Sequence, residues 1–120
     1  MRNLHIISVN HKSCSATDRI KLNLEAKAWE RLFTSLVFNL GVEGYVHLQT
    51  CNRIEIFYDA DHDVSKTIVS RWINLMEGEH DLDTSCFQMI SGQEACIQHL
   101  LELYIGTKRC VIFTPQRLGR

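Results

Sequence analysis

The amino-acid sequence predicts an α+β domain with a mainly antiparallel sheet, a central β-hairpin and helices packed on the sheet. Three observations lead to this prediction. Strand-like and helix-like segments follow the order β-α-α-β-β-α-β-α, only residues 50–53 separate the two middle strands, and the chain lacks the GxGxxG fingerprint of parallel dinucleotide-binding folds. The length of 120 residues suits one domain, and 45% hydrophobic residues suffice to form its core.

The first half of the chain predicts one strand and two helices. Residues 4–9 are apolar and β-branched, which is typical of a buried strand, and a polar loop follows them. A capping box at 15–18 predicts a short helix through about Leu22. Apolar residues recur at helical spacing between 24 and 40, and they predict an amphipathic helix that Gly41 ends.

The middle of the chain predicts the hairpin and a third helix. The two strand-like runs 45–49 and 54–58 are close enough in sequence to pair antiparallel, which places the residues between them on an exposed turn. Asp63 is a suitable N-cap for a helix that ends near Gly78.

The last elements are a short strand and a fourth helix. Residues 87–90 predict the strand, and a capping box at 91–94 opens a helix that ends by Gly106. Four apolar residues are expected to form the buried face of this helix: Ile97, Leu100, Leu101 and Tyr104.

Charge and hydropathy exclude two classes of protein. Thirteen Lys and Arg against fourteen Asp and Glu give a net charge of −1, so the whole chain has no field that would hold a polyanion non-specifically. The longest uncharged stretch, 32–42, has about half of the ~20 residues that a membrane-spanning helix needs. Residues 4–9 are interrupted too early to form a secretory signal. We therefore expect a soluble, cytoplasmic protein with no membrane contact.

The cysteines argue against a disulfide framework and against a zinc ribbon or finger. Their number is odd, they form no CxxC pair, and no two are closer than ten positions: Cys14, Cys51, Cys86, Cys96 and Cys110. The sequence predicts no metal site, and each thiol has to be considered separately.

Cys51 is the first candidate for chemistry. It lies on the predicted turn beside Asn52 and two positions before Arg53, whose guanidinium favours the nucleophilic thiolate. The alternative is an incidental surface cysteine. Cys96, near the apolar face of the last helix, is expected to be a buried filling residue.

Three further polar residues are candidates. His99 is either a satisfied core histidine or a proton carrier that faces the Cys51 turn, and the sequence leaves both open. His11 and Lys12 either bind a carboxylate or phosphate or belong to a solvated loop. Cys51 and His99 together admit a Cys-His nucleophile pair.

Three sequence blocks resemble the glutamyl-tRNA reductases. Asn-His-Lys-Ser at 10–13, followed by Arg19, resembles that family's opening NHKTAP…REKL. Thr-Cys-Asn-Arg-Ile-Glu-Ile-Phe at 50–57 is similar to its TCNRTEIY block, and residues 94–101 are similar to its eeAxxHLf helix. The resemblance spans about residues 4–106, and the three blocks have the family's order and spacing.

The resemblance implies a covalent mechanism. The Cys51 thiolate attacks the ester carbonyl of glutamyl-tRNA, and hydride from NADPH reduces the resulting thioester to glutamate-1-semialdehyde, the first step of tetrapyrrole synthesis through 5-aminolevulinate. His99 orients or protonates near the leaving group or the thioester. Six residues are expected to bind the substrate: Thr50, Asn52, Arg53, His11, Lys12 and Arg19.

The resemblance also implies a division of the chain. Residues 1–106 correspond to the N-terminal catalytic domain, and 107–120 are a divergent tail that leads towards an NADPH-binding domain and dimerisation helices. These 120 residues are therefore expected to bind no cofactor, and the full-length enzyme to be a homodimer.

Two other interpretations remain open at this point. One is a degenerate, non-catalytic module that binds tRNA or a protein partner through four basic residues of the tail: Lys108, Arg109, Arg117 and Arg120. The other is a structural domain whose surface cysteine has no role. In that case the match of the three sequence blocks, in the family's order, is a coincidence.

Overall fold

A five-stranded sheet, in which every neighbouring pair is antiparallel, forms the centre of the molecule. The structure is a computed structural model that describes residues 3–76, 84–106 and 112–116. The strands are β1 (Asn3–Asn10), β2 (Gly44–Gln49), β3 (Arg53–Ala60), β4 (Gln88–Ser91) and β5 (Ile112–Gln116). Their order across the sheet is β4-β1-β3-β2-β5, so the β2–β3 hairpin is central. The predicted α+β class is confirmed.

Four helices join the strands, and a 3-10 turn precedes β4. The elements are α1 (Ala16–Leu22), α2 (Ala26–Asn39), α3 (Ser65–Asn74), the 3-10 turn (Thr84–Cys86) and α4 (Gln93–Gly106). The side-chain oxygen of Ser15 accepts a hydrogen bond from the backbone N–H of Asp18, which confirms the predicted cap of α1. Gly41 follows α2 with a φ of 72°, the left-handed conformation that ends a helix.

Two predicted helix caps differ from the structure. The N-cap position of α3 is Val64, one residue after the predicted Asp63, although Asp63 Oδ1 accepts from the N–H of Ser65 at 2.9 Å. Ser91 belongs to β4, and its hydroxyl donates to Asp63 Oδ2 at 2.8 Å instead of capping α4. The first backbone bond of α4 runs to the carbonyl of Gly92, so the prediction that Ser91 opens the helix was wrong.

One face of the sheet packs against α1, α2 and α3 to form the hydrophobic core. Ile7 and Val9 of β1 and Ile56 of β3 belong to this core, and all three are completely buried. Trp72 of α3 is also completely buried, and its indole N–H donates to the carbonyl of Leu22 at 2.8 Å. Apolar burial on this scale is the main stabilising contribution to the fold.

The helix α4 lies against the opposite face, along β1 and β4. Among its side chains from Gln93 to Glu102, the least exposed are Cys96, which is 1% exposed, and the half-buried His99. The predicted buried face was wrong, since Ile97, Leu100 and Leu101 are 42–58% exposed. Cys96 donates to the carbonyl of Leu4, and His99 pairs with the buried Glu55, so these two residues face the sheet. Tyr104 lies outside the described side chains.

The strand β5 extends the sheet past the boundary expected at residue 106. It pairs with β2 so that Ile112 faces Gln49 and Gln116 faces Tyr45. Pro115 has no N–H to donate, and it lies in a strand at the edge of the sheet, where such a residue is tolerated. Within the described ranges, none of the helices has the length and hydropathy needed to cross a bilayer.

Candidate active site

The turn of the central hairpin presents Cys51 to solvent. The backbone N–H of Thr50 donates to the carbonyl of Arg53 at 2.9 Å, and the N–H of Asn52 donates to Thr50 Oγ1 at 3.1 Å. These two bonds hold a tight turn in which Cys51 and Asn52 are exposed. The predicted position of Cys51 on an exposed turn is confirmed, and its thiol is free.

Cys51 lines a small recess between the hairpin turn and α1, which we name the Cys51 recess. Its volume is about 280 Å³. The walls come from two segments of the chain: Ala16, Arg19, Ile20, Asn23, Gln49, Thr50, Cys51, Arg53 and Ile54.

A larger cleft, which we name the His99 cleft, also has Arg53 in its lining. Its volume is about 900 Å³. Its walls come from the β1–α1 loop, the turn, the segment around β4 and the helix α4: Asn10, His11, Lys12, Ser13, Asn52, Arg53, Ser85, Phe87, Gln88, His99 and Glu102. Arg53 is the residue that the two linings share.

A buried carboxylate, Glu55, holds two side chains that line the cleft, Arg53 and His99. Its Oε2 atom accepts hydrogen bonds from Arg53 at 2.9 Å and from His99 Nε2 at 2.8 Å. The hydroxyl of Ser8 donates to the same oxygen at 2.5 Å. The Glu55 side chain is 0% exposed, whereas those of Arg53 and His99 are 16% and 13% exposed. Glu55 therefore holds Arg53 and His99 from the buried side, while both side chains remain accessible from the cleft.

The hydrogen bonds keep Glu55 ionised in spite of its burial. Burial alone raises the pKa of this carboxyl, but the hydrogen bonds from His99 and Ser8 and the nearby charge of Arg53 together outweigh burial, so the net pKa lies below its ordinary value. Because the carboxylate is an acceptor only, His99 carries its hydrogen on Nε2. The other ring nitrogen, Nδ1, is left to exchange a proton.

Asn10 connects this network to the loop that lines the cleft. Its Nδ2 donates to Ser8 Oγ at 2.9 Å, and its Oδ1 accepts from the backbone N–H of Lys12 at 2.9 Å. The β1–α1 loop that carries Lys12 is thereby tied to the same buried cluster as Glu55.

Every predicted site residue lines one of the two spaces. His11, Lys12, Asn52 and His99 line the His99 cleft, whereas Arg19, Thr50 and Cys51 line the Cys51 recess, and Arg53 lines both. Neither of these two spaces is lined by both Cys51 and His99, so the Cys-His pair stays a prediction. Arg19 NH1 also donates to the carbonyl of Cys14 at 2.7 Å, which holds its guanidinium beside the recess.

Sequence reasoning missed Glu55, Ser8 and Asn10. The signal for Glu55 was a charge between Ile54 and Ile56 in an otherwise apolar strand, because a strand buried on both sides has no solvent for a carboxylate. Ser8 lies directly opposite Glu55 in the β1–β3 register, and Asn10 opposite Arg53. Their role as partners of Glu55 and Arg53 becomes visible only when the register of β1 against β3 is known, and the sequence does not give that register.

Comparison with known proteins finds matches over nearly the whole chain. Residues 7–119 match the family model described as "Glutamyl-tRNAGlu reductase, N-terminal domain". The chain is 30% identical over 119 residues to the glutamyl-tRNA reductase of Aliivibrio fischeri (strain ES114), covering 98% of the chain and 28% of that protein. It is 24% identical to the glutamyl-tRNA reductase of Methanocaldococcus jannaschii, covering 96% of the chain and 24% of that protein.

A solved structure has the same fold. The glutamyl-tRNA reductase from Methanopyrus kandleri superposes with a TM-score of 0.60 at 18% identity, over 88% of this chain and 23% of that one. The chain therefore spans about a quarter of the length of the relatives that it matches.

Proposed function

Since this chain belongs to the family of glutamyl-tRNA reductase N-terminal domains, we propose that it carries the acyl-transfer half of a glutamyl-tRNA reductase reaction. In this proposal the Cys51 thiolate attacks the ester carbonyl of glutamyl-tRNA and forms a thioester. The observations that carry the proposal are the buried Glu55 carboxylate, which holds Arg53 and His99, and the exposed thiol of Cys51 on the hairpin turn two positions before Arg53.

The proposed step balances without a further reactant. A bond forms between Cys51 Sγ and the carbonyl carbon, and the ester C–O bond to the ribose breaks. The Cys51 thiol loses one proton and the departing ribose hydroxyl gains one. A single group that carries this proton from the thiol to the ribose oxygen therefore completes the step. His99 can serve through Nδ1, because Glu55 occupies its Nε2.

The charges of the two spaces suit a glutamyl group. A glutamyl ester carries a carboxylate and an ammonium. Lys12 and Arg53 offer positive charge to the substrate carboxylate. The NH1 group of Arg53 donates to Glu55, but its guanidinium has further N–H groups that can donate to the substrate.

The position of Arg53 sets the expected placement of the substrate. Arg53 lines both spaces, so we expect the ester to lie along this residue, with its carbonyl at Cys51 and its charged groups in the His99 cleft. Thr50 and Arg19 would then contact the part of the substrate in the Cys51 recess.

The reduction step requires NADPH, which would supply hydride to the thioester. The sequence contains no GxGxxG fingerprint, so we assign none of its residues to the binding of NADPH. Reduction to glutamate-1-semialdehyde, a role in tetrapyrrole synthesis, a cytoplasmic location and a homodimeric full-length enzyme belong to this proposal.

The test is the mass of the intact protein after brief incubation with glutamyl-tRNA and an acid quench. We expect a glutamyl adduct on the wild type and none on Cys51→Ala. Cys96→Ala is the matched control, because it removes a buried thiol that lines neither of the two spaces, and it should form the adduct as the wild type does. An adduct on Cys51→Ala would refute the proposal.

The same experiment tests the non-catalytic alternative. Its basic residues at 108, 109, 117 and 120 lie outside the described residues, so its support remains the sequence alone. Binding of glutamyl-tRNA by a protein that forms no adduct, while its thiol still reacts with an alkylating agent, would favour a binding module.

A further inference from the structure

Two cysteines and one aspartate from separate segments meet beside the His99 cleft. Cys14 lies in the loop before α1, Asp18 is in the first turn of α1, and Cys86 ends the 3-10 turn before β4. The Sγ atoms of both cysteines and a carboxylate oxygen of Asp18 all lie within 4.8 Å of one another. Cys14 and Cys86 are 72 positions apart in the sequence, which is why spacing alone gave no indication of this cluster.

We propose that Cys14, Cys86 and Asp18 form a binding site for one thiophilic divalent cation of the Zn²⁺ class. Zn²⁺ prefers thiolate, imidazole and carboxylate ligands in a tetrahedral arrangement, with Zn–S distances of about 2.3 Å. Two sulfurs at that distance are about 3.8 Å apart, so the present cluster needs a contraction of at most about 1 Å.

The surroundings fit such a site in burial and in charge. Cys14 is 6% exposed and Cys86 is 4% exposed, whereas Asp18 is only half-buried, so water has access to provide a fourth ligand. Two thiolates and a carboxylate around a divalent cation leave a net charge of −1. The guanidinium of Arg19, which donates to the carbonyl of Cys14, can balance that charge.

Binding exchanges protons for the metal. Zn²⁺ binds cysteine as the thiolate, so a thiol must lose its proton to become a ligand. Binding of one cation releases both thiol protons, and the affinity should therefore rise with pH. No oxidation or reduction takes place.

The site has a consequence for the cleft. Ser13 and Ser85 line the His99 cleft next to the two cysteines, and Ser13 Oγ already donates to the carbonyl of Cys86 at 2.8 Å. A bound cation would add a second link between these two walls. This inference does not depend on the proposed acyl transfer, because its ligands include neither Cys51 nor His99.

Titration of the reduced 120-residue chain with Co²⁺ under anaerobic conditions tests the site. We expect one equivalent to produce a thiolate-to-cobalt charge-transfer band that Zn²⁺ abolishes. The band should be lost in Cys14→Ser and in Cys86→Ser and retained in Cys96→Ser and Cys51→Ser, while Asp18→Asn should weaken binding about tenfold. No band in the wild type, or a band that persists in both Cys14→Ser and Cys86→Ser, would overturn the proposal.

Alkylation of the wild type tests the same site without any substitution, so its result does not depend on whether the variants fold. Zn²⁺ should protect Cys14 and Cys86 from alkylation, located by peptide mass mapping, while the exposed Cys51 is labelled equally with and without the metal. Equal labelling of Cys14 and Cys86 in both conditions would contradict the site. So would formation of a Cys14–Cys86 disulfide in place of metal binding.

Discussion

The two faces of the sheet differ in what they bury. The face towards α1, α2 and α3 buries apolar side chains and aromatic rings such as Trp72. The face towards α4 buries Ser8, Asn10 and Glu55, each with 4% exposure or less. Apolar contacts stabilise the fold without depending on exact geometry, whereas buried polar groups are tolerated only when they are paired. The comparison indicates that the first face provides stability and the second provides the buried carboxylate that holds Arg53 and His99.

The largest expected effect is on the apolar face. Trp72→Ala should lower the free energy of unfolding by about 3–5 kcal/mol, because it leaves a large cavity and removes the donor to the carbonyl of Leu22. Urea denaturation followed by circular dichroism measures this loss. The control is Phe38→Ala, since Phe38 is 71% exposed and its change should remain within about 0.5 kcal/mol. Similar losses for both variants would show that burial does not set stability here.

The second prediction separates stability from chemistry on the polar face. Glu55→Gln should cost about 2 kcal/mol, less than Trp72→Ala, because the amide keeps the shape but loses the charge that accepts from Arg53 and His99. The rate of Cys51 acylation should fall by about 10²-fold and its pH dependence should shift, because His99 loses the carboxylate that positions it.

The control for this prediction is Glu30→Gln on the exposed side of α2. It should change neither stability nor acylation. A Glu55→Gln protein with the acylation rate and pH profile of the wild type would show that Glu55 is not a positioning residue.

The third prediction concerns acid. Because the pKa of Glu55 is lower in the folded protein than its ordinary value of 4.5, ionised Glu55 contributes stability that is fully present above pH 4.5 and is lost as the pH falls through the folded pKa. The difference in unfolding free energy between wild type and Glu55→Gln should therefore shrink on acidification below that pH. Denaturation curves over a pH series measure it, and a constant difference would contradict the ionised state of Glu55.

The smallest effect is expected for Ser8→Ala. This change removes one of three donors to Glu55 and the acceptor of Asn10, and it should cost about 1 kcal/mol. It should also raise the folded pKa of Glu55 towards 4.5, so that the loss of stability in acid is smaller and is complete at a higher pH than in the wild type. The same denaturation series measures both effects. Ser70→Ala, on an exposed position of α3, serves as the control and should have no measurable effect.

The elements and part of the site could be predicted from the sequence. Periodicity located the helices and the hairpin, since apolar spacing reports which side of an element is buried. Because only four residues separate the two strand-like runs, the sequence predicted an exposed turn there, and Cys51 lies on that turn in the structure. Residue types and positions already made Arg53 and His99 candidates, the resemblance implied roles for them, and the structure places both around Glu55.

The rest depends on contacts between distant segments. The buried side of α4 was mispredicted because Cys96 and His99 face Leu4 and Glu55, which are 92 and 44 positions away. Apolar spacing gives no information about a helix whose partners are polar. The proximity of Cys14 to Cys86 likewise arises only when β4 pairs with β1.

The place of β1 between β3 and β4 has a consequence for synthesis of the chain on the ribosome. This strand is made early, but His5 meets Ser91 86 positions later. At roughly 5–20 residues per second, one edge of an apolar strand stays unpaired for about 4–17 s after it emerges. Unpaired apolar strands are sites of aggregation, so we expect this interval to be the part of synthesis in which the nascent chain is most prone to aggregate.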